Sequence, residues 1–569
     1  MAKLPSMEWL GAAAISAAII ATPALAAEVC VENANVGDLQ EAVRTGQTTT
    51  AQLVRAYTAR IEAYDRAGPG LNAVRELNPD APAIAAAIDA TASRTPTNAR
   101  RPLEGISVLL KDNIATGDAQ HTTAGSLALA DAYAQRDATV VRLLREAGAV
   151  ILGKANLTEF ANVLAVEMPP GYSSLGGQVK NPFAPELDAS GVPIVSPGGS
   201  SSGSAVAIAA GFATVAIGTE TSGSLLSPAS QNGVVTVKPT VGLISRAGIV
   251  PISFSQDTAG PLTRTVRDAA IMLNVLAVPD PLDGATRDLK RPADYTSALD
   301  RNGLRGARIG IPSDPADRAN DVYYGPLALR AATVMRDSIA ALEAAGATLV
   351  HANIPTIGWM GGPGTDMPVL NLNPESPTLY QPEPLPIVYL YELKPSLNAY
   401  LRDWARGTRM RTMADIIAFN AANAARTLRF GQDIFLASEA SEGIEAIEYI
   451  AARRMDIRAT RTRGIDAYMD EYKLDAILFP SNLGAAIAAK AGYPSVQVPA
   501  GMVVGVGSRG TFETPFGATF TGRAWSEPLL LRLAYAFEQA MLARRVPPGL
   551  PPLDPACVAN ANPAAAGDP

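Results

Sequence analysis

Through the middle of the chain, short unbroken apolar runs alternate with segments of helical period. Ile106 to Leu110 reads as a buried strand, and Lys111 stands where it ends. Ala138 to Gly148 has the pattern of a helix stopped by glycine, and Val150 to Leu152 follows as a strand. Ser204 to Ala210 is small and apolar on every face, which predicts a central buried helix closed by Gly211. Ala213 to Ile217 is the next buried strand. This alternation predicts an α/β class protein: a single large α/β/α layered domain with a central mixed β-sheet covered by helices.

The flanks are less regular. Glu28 to about Arg94 reads as helical: Thr49 with Gln52 makes a capping box, and Leu53, Tyr57, Ile61 and Tyr64 recur on one face. Gly68-Pro69-Gly70 ends that helix. Between Pro279 and Gln381 prolines and glycines loosen the pattern, and Trp359 to Gly364 is a loop that suits either a pocket wall or a tryptophan capping the core beneath a surface loop. Helical character returns from Pro395 to Arg463, then a strand at Ala476–Phe479, an apolar run at Pro494–Val498, and a helix from Glu527 to about Arg544. At the other end, Lys3, the apolar run Leu10–Ala21 and Ala24-Leu25-Ala26 have the form of a cleaved export signal. The expected division is therefore residues 1–26 as signal peptide, 27–95 as a helical segment packed on the core, 96–556 as the main domain, and 557–569 as a tail.

Composition narrows the function. With 48% hydrophobic and 18% charged residues, the chain can bury a large core. Its net charge of −7, without a long basic run, argues against a nucleic-acid partner. The apolar run near the start is too short for a comfortable membrane span, so none is expected after signal cleavage. The two cysteines, Cys30 and Cys557, lie at opposite ends of the mature chain. In an exported protein they are expected to form a disulfide. Two cysteines and two histidines so scattered make no structural zinc site. No metal or cofactor is expected.

The chemistry concentrates in two glycine-serine clusters, GGSSSGS (Gly198–Ser204) and GTETSGS (Gly218–Ser224). Gly223 lets the chain turn sharply before Ser224, and N–H groups converging in such a turn can form an oxyanion hole. Ser224 is thus a candidate nucleophile, with Thr221, Ser222, Gly223 and Ser224 as candidate donors. A hydroxyl needs a base. His121 and His351 lack nucleophile-elbow surroundings and suit polar packing or surface duty. Lys111, at a strand end, would lose water, and desolvation makes a lysine a neutral amine able to accept a proton. Ser200 could carry the proton between Ser224 and Lys111. A salt-bridged structural lysine and an ordinary strand-to-helix connection are the competing readings of the same residues.

PGGSSSGSAVAIAAG, GTETSGSLLSPAS, VKPTVGLISRAGIVP, LLKDNI, GKANLTEFAN and SQDTAGPLTRTVRDAA together resemble the amidase signature family. The likeness covers Leu103 to Val275, and more loosely the C-terminal third. GGQVKNP and GRAWSEPLLLRLAYAFEQA look most like bacterial peptide amidases and related secreted amidases. The resemblance implies the amidase signature fold and a Ser–cisSer–Lys triad: Ser224 as nucleophile, Ser200 as bridging serine after a cis peptide bond, Lys111 as base. Ser222 stands where the family more often has glycine, and Leu226 where arginine is common. The expected function is an exported, periplasmic or extracellular, serine amidase acting through an acyl-enzyme. C-terminal peptide amides are one substrate class; an aryl acylamidase, urethanase or esterase using the same triad is the alternative. The expected partner is a small-molecule or peptide amide, and the protein is expected to be a monomer or homodimer. Gly171–Gly177, the Trp359 loop and Tyr389–Lys394 are expected to shape the pocket.

Overall fold

The apolar runs become strands of one eleven-stranded mixed sheet in the computed structural model, which describes residues 29–92, 101–356, 366–368, 384–507, 510–553 and 557. The strands are β1 (Val74–Leu77), β2 (Ser107–Lys111), β3 (Val150–Ala155), β4 (Val215–Glu220), β5 (Val235–Lys238) and β6 (Thr258–Thr263). They continue with β7 (Arg308–Ile311), β8 (Thr348–His351), β9 (Ala476–Pro480), β10 (Ser495–Gly507) and β11 (Gly510–Thr521). Their spatial order is β1-β3-β2-β4-β6-β5-β10-β11-β9-β7-β8.

An unbroken apolar strand is stable only where both faces are covered. β2, β3 and β4 meet that condition, being buried at every residue. β2 lies between β3 and β4 and is parallel to both. Leu110 pairs with Ile217, so the C-terminal ends of β2 and β4 emerge together on one edge of the sheet. In an open α/β sheet that edge is where ligands bind.

Helices cover the sheet: α1 (Val36–Arg44), α2 (Thr50–Arg60), α3 (Ala81–Ala92), α4 (Thr139–Glu146), α5 (Ser202–Ala209) and α6 (Leu226–Asn232). α7 (Val266–Leu276), α8 (Leu329–Ala344) and α9 (Ile387–Asp403) follow. α5 is the buried central helix expected from its composition, with every residue inaccessible. Its glycine is dictated by close approach: a Cβ on Gly203 would stand 2.3 Å from the Ala73 carbonyl oxygen and 2.5 Å from that of Asn156.

The N-terminal segment is not wholly helical. α2 has the Thr49–Gln52 capping box and buries Leu53 and Tyr57, but Val74–Leu77 departs from the helical reading and forms β1, antiparallel to β3 at the sheet edge. Four residues carry too little periodicity to declare a strand whose pairing partner, β3, lies far along the chain. α9 also differs from the reading. It begins at Ile387 and carries Pro395 within it instead of starting there. The run at Pro494–Val498 proves to open a 13-residue strand in a long hairpin with β11.

Cys30 and Cys557 are joined by a disulfide, with their Cα atoms 5.5 Å apart. Buried Arg60 reinforces the junction of the two ends, reaching Glu32 Oε1 (3.1 Å), the Pro551 carbonyl (3.1 Å) and the Ala210 carbonyl (2.9 Å). No described helix is long and apolar enough to cross a membrane. The expected export signal (1–26), the Trp359–Gly364 loop and the tail beyond Cys557 lie outside the described residues.

Replacing both Cys30 and Cys557 by serine is expected to lower unfolding free energy by about 2–4 kcal/mol. Denaturant titration of the oxidised wild type against the double variant measures it.

Candidate active site

The parallel register of β2 and β4 decides which groups meet. Lys111 ends β2 fully buried. Its Nζ lies 2.8 Å from Ser200 Oγ, 2.9 Å from Thr219 Oγ1 and 3.2 Å from the Thr219 carbonyl oxygen. Three oxygens saturate an ammonium. A neutral amine has two N–H groups for Thr219 and a lone pair that accepts from the Ser200 hydroxyl. Burial favours that neutral form: it lowers the Lys111 pKa to about 7, against the opposing pull of the Glu220 and Asp257 charges.

The three consecutive serines have different surroundings. Ser200 follows a cis Gly199–Ser200 peptide, and its hydroxyl is the one that meets Lys111. Ser201 donates its hydroxyl to the Thr219 carbonyl at 3.0 Å, and its N–H donates to the Ser224 carbonyl at 3.2 Å. Ser202 donates to the Gly198 carbonyl at 2.5 Å. The turn before α5 is thus sewn both to β4 and to the loop that holds Ser224.

That loop, between β4 and α6, is shaped by Glu220, which the sequence reading did not single out. Its carboxylate is buried and accepts from the N–H groups of Gly223 (2.7 Å), Leu225 (2.7 Å) and Leu226 (3.1 Å). The chain wraps around this one side chain, and Gly223 turns with φ +80°, the left-handed region that favours glycine. The Gly223 N–H is therefore committed to Glu220, which removes it from the candidate oxyanion donors. The N–H groups of Thr221, Ser222 and Ser224 have no hydrogen-bond partner among the described residues. Ser224 is 7% exposed.

Ser222 and Leu226 acquire specific surroundings. The Ser222 hydroxyl lies near the Tyr389 phenol of α9, which receives Gln256 Nε2 at 3.4 Å. Leu226 is buried and starts α6. Glu392, one helical turn after Tyr389, accepts from Ser253 Oγ (2.5 Å), the Ser255 N–H (3.0 Å) and Tyr449 Oη (2.7 Å), holding the 253–255 loop against α9.

Two further residues escaped the sequence reading. Thr219 receives Lys111, and Asn113 Nδ2 donates to the same Thr219 Oγ1 at 3.0 Å. Asn113 lies two positions beyond Lys111, and that adjacency to the candidate base was the available signal. In the Gly171–Gly177 segment, the Gly171 N–H donates to Thr158 Oγ1 (2.8 Å) and the Ser174 N–H to Glu159 Oε2 (2.7 Å). Neither histidine joins the site: His351 is exposed at the end of β8, and His121, 41% exposed, meets Glu76 at 3.0 Å.

The amidase family profile matches residues 52–360. A chain of Arabidopsis thaliana named a probable amidase is 38% identical over 529 residues, covering 92% of this chain and 93% of that one. The crystal structure of peptide amidase from Stenotrophomonas maltophilia is similar with a TM-score of 0.76 and 41% identity, over 90% of this chain and 98% of that one. An amidase family protein of Bacillus anthracis gives a TM-score of 0.78 and 34% identity, over 91% and 92% of the two chains.

Thr219→Val removes an oxygen that favours the charged form of Lys111. It is expected to move the acid limb of the pH–activity profile to lower pH and to reduce kcat about five- to tenfold, near 1 kcal/mol. Steady-state rates from pH 5 to 9 on the folded variant measure both.

Proposed function

The chain belongs to the amidase family and is an amide-hydrolysing enzyme, and from that premise we propose that it is a secreted serine amidase working through a Ser224–Ser200–Lys111 triad. The observation that carries the triad is the 2.8 Å contact between a fully buried Lys111 amine and the Ser200 hydroxyl. A lysine without water beside a serine is a proton acceptor near neutral pH.

The reaction runs in two halves. Neutral Lys111 takes the Ser200 proton as Ser200 takes the proton of Ser224. The Ser224 oxygen attacks the amide carbon, and the developing oxyanion is held by N–H groups of Thr221, Ser222 and Ser224. Lys111 returns the proton through Ser200 to the departing nitrogen, and the C–N bond breaks to leave an acyl-Ser224. Water, deprotonated by the same relay, then releases the carboxylic acid.

Likeness to the peptide amidase supports a peptide amide as the substrate class. Export is supported by the Leu10–Ala21 run with its Ala24-Leu25-Ala26 site, and by a disulfide suited to an oxidising compartment. A panel of peptide amides, anilides, carbamates and esters at matched concentration separates the peptide amidase reading from the aryl acylamidase, urethanase and esterase readings.

Lys111→Ala and Ser224→Ala are each expected to reduce kcat/KM by about 10⁴-fold or more while leaving the protein folded. Substantial amide turnover by folded Ser224→Ala rejects the assignment. Because the Lys111 pKa is lowered to about 7, wild-type activity should rise with pH through about 7 as the amine loses its proton.

A further inference from the structure

Bordered by Thr219, Asn113 and the first residues of the oxyanion loop lies a cavity of about 250 Å³. One wall is the end of β4, from Thr219 to Thr221; the opposite wall is the second half of α9, with Ser396, Ala399 and Tyr400. A volume near 250 Å³ holds several waters or one small organic molecule.

The lining is acidic. Glu220, Asp257, Asp283 and Asp403 border the cavity, with Arg246 as the single basic side chain. Arg246 is already committed to Asp283 at 2.7 and 2.8 Å and to the Phe254 carbonyl at 2.6 Å. Asp257 forms no ion pair among the described residues. It accepts only from Thr221 Oγ1 (2.5 Å) and the N–H groups of Ile252 (2.8 Å) and Ser253 (2.9 Å).

An independent observation points to a donor as the missing partner. Asn113 borders the cavity, is 2% exposed, and spends its Nδ2 on Thr219, while its buried Oδ1 has no hydrogen-bond partner. A buried amide oxygen without a donor is costly, and a bound N–H would relieve that cost. The remaining surfaces suit a flat group. Tyr400 and Trp404 border the cavity, and Phe254, 45% exposed, stands at its mouth.

We propose that this cavity binds a small planar organic cation, an amidinium or guanidinium, whose N–H groups satisfy Asn113 Oδ1 and whose charge answers Asp257. The site adjoins the catalytic machinery, sharing Thr219 and Thr221 with it. The cation comes either from the side chain of the substrate's own acyl group or from a free amine. Both present the same chemistry, and the mode of inhibition distinguishes them. The inference does not rest on the triad assignment, because its primary test reads binding and not turnover.

Benzamidine is titrated calorimetrically into the full chain at pH 8, where Asp257, pushed up to about 6 by burial, is ionised. One saturable site is expected, with acetophenone, a neutral molecule of similar shape, binding at least tenfold more weakly. Ala399→Trp fills the cavity from the half-buried face of α9 and should weaken benzamidine at least tenfold. Ser396→Phe does the same from the adjacent turn if the first variant does not fold. Competitive inhibition of carboxamide hydrolysis assigns the cavity to the substrate's side chain, and noncompetitive inhibition to a free amine. Absence of saturable binding overturns the proposal. So does acetophenone binding as tightly as benzamidine, or affinity that survives cavity filling in a folded variant.

Discussion

Lys111 is a charged side chain type held at the end of an interior strand, out of reach of water and within bonding distance of three oxygens. Water would stabilise its ammonium far better than those oxygens do, so the fold makes the amine the preferred form. The lowering from 10.5 to about 7 corresponds to a free-energy cost of order 5 kcal/mol. That cost is fully present below pH 7, where folded and unfolded chains both carry the proton. It disappears above pH 10.5, where neither does. A fold of this size bears it because the surrounding strands are buried at every position and dense with apolar contacts.

Much of the neighbouring architecture serves to keep that amine and two serines in register. The parallel pairing of β2 with β4 brings Lys111 alongside Thr219. Glu220 then folds the following loop around its carboxylate, and Ser201 ties the loop back to the turn that presents Ser200. Each link is a hydrogen bond in a dry environment, where an unmade bond is expensive and geometry is correspondingly well defined. Tyr389 and Glu392 extend the same construction to the helix that covers the site.

The central strands and the helix α5 were legible because total burial writes an unmistakable pattern: apolar runs of strand length, and a helix of small residues without a polar face. Lys111 stood out as a candidate base because two histidines left few alternatives, whereas the choice of Ser200 among three consecutive serines, and the roles of the three residues, came from the likeness to the amidase signature family. β1 was not, because a four-residue edge strand depends on a partner distant in sequence. The β10–β11 hairpin was seen only where it begins, since its outer half loses the buried pattern. The commitment of the Gly223 N–H to Glu220 was invisible as well. A glutamate in a polar cluster reads as solvated, and only tertiary burial turns it into the template of the loop.

The central claim is that Lys111 is neutral at the pH of catalysis. Its direct test is NMR titration of the lysine side-chain amine in isotope-labelled protein, with the signal assigned by its disappearance in Lys111→Arg. The account predicts a Lys111 titration centred near pH 7 in the folded enzyme. A midpoint above pH 10, with the protein still folded, would show the amine to be charged throughout the working range and would contradict it.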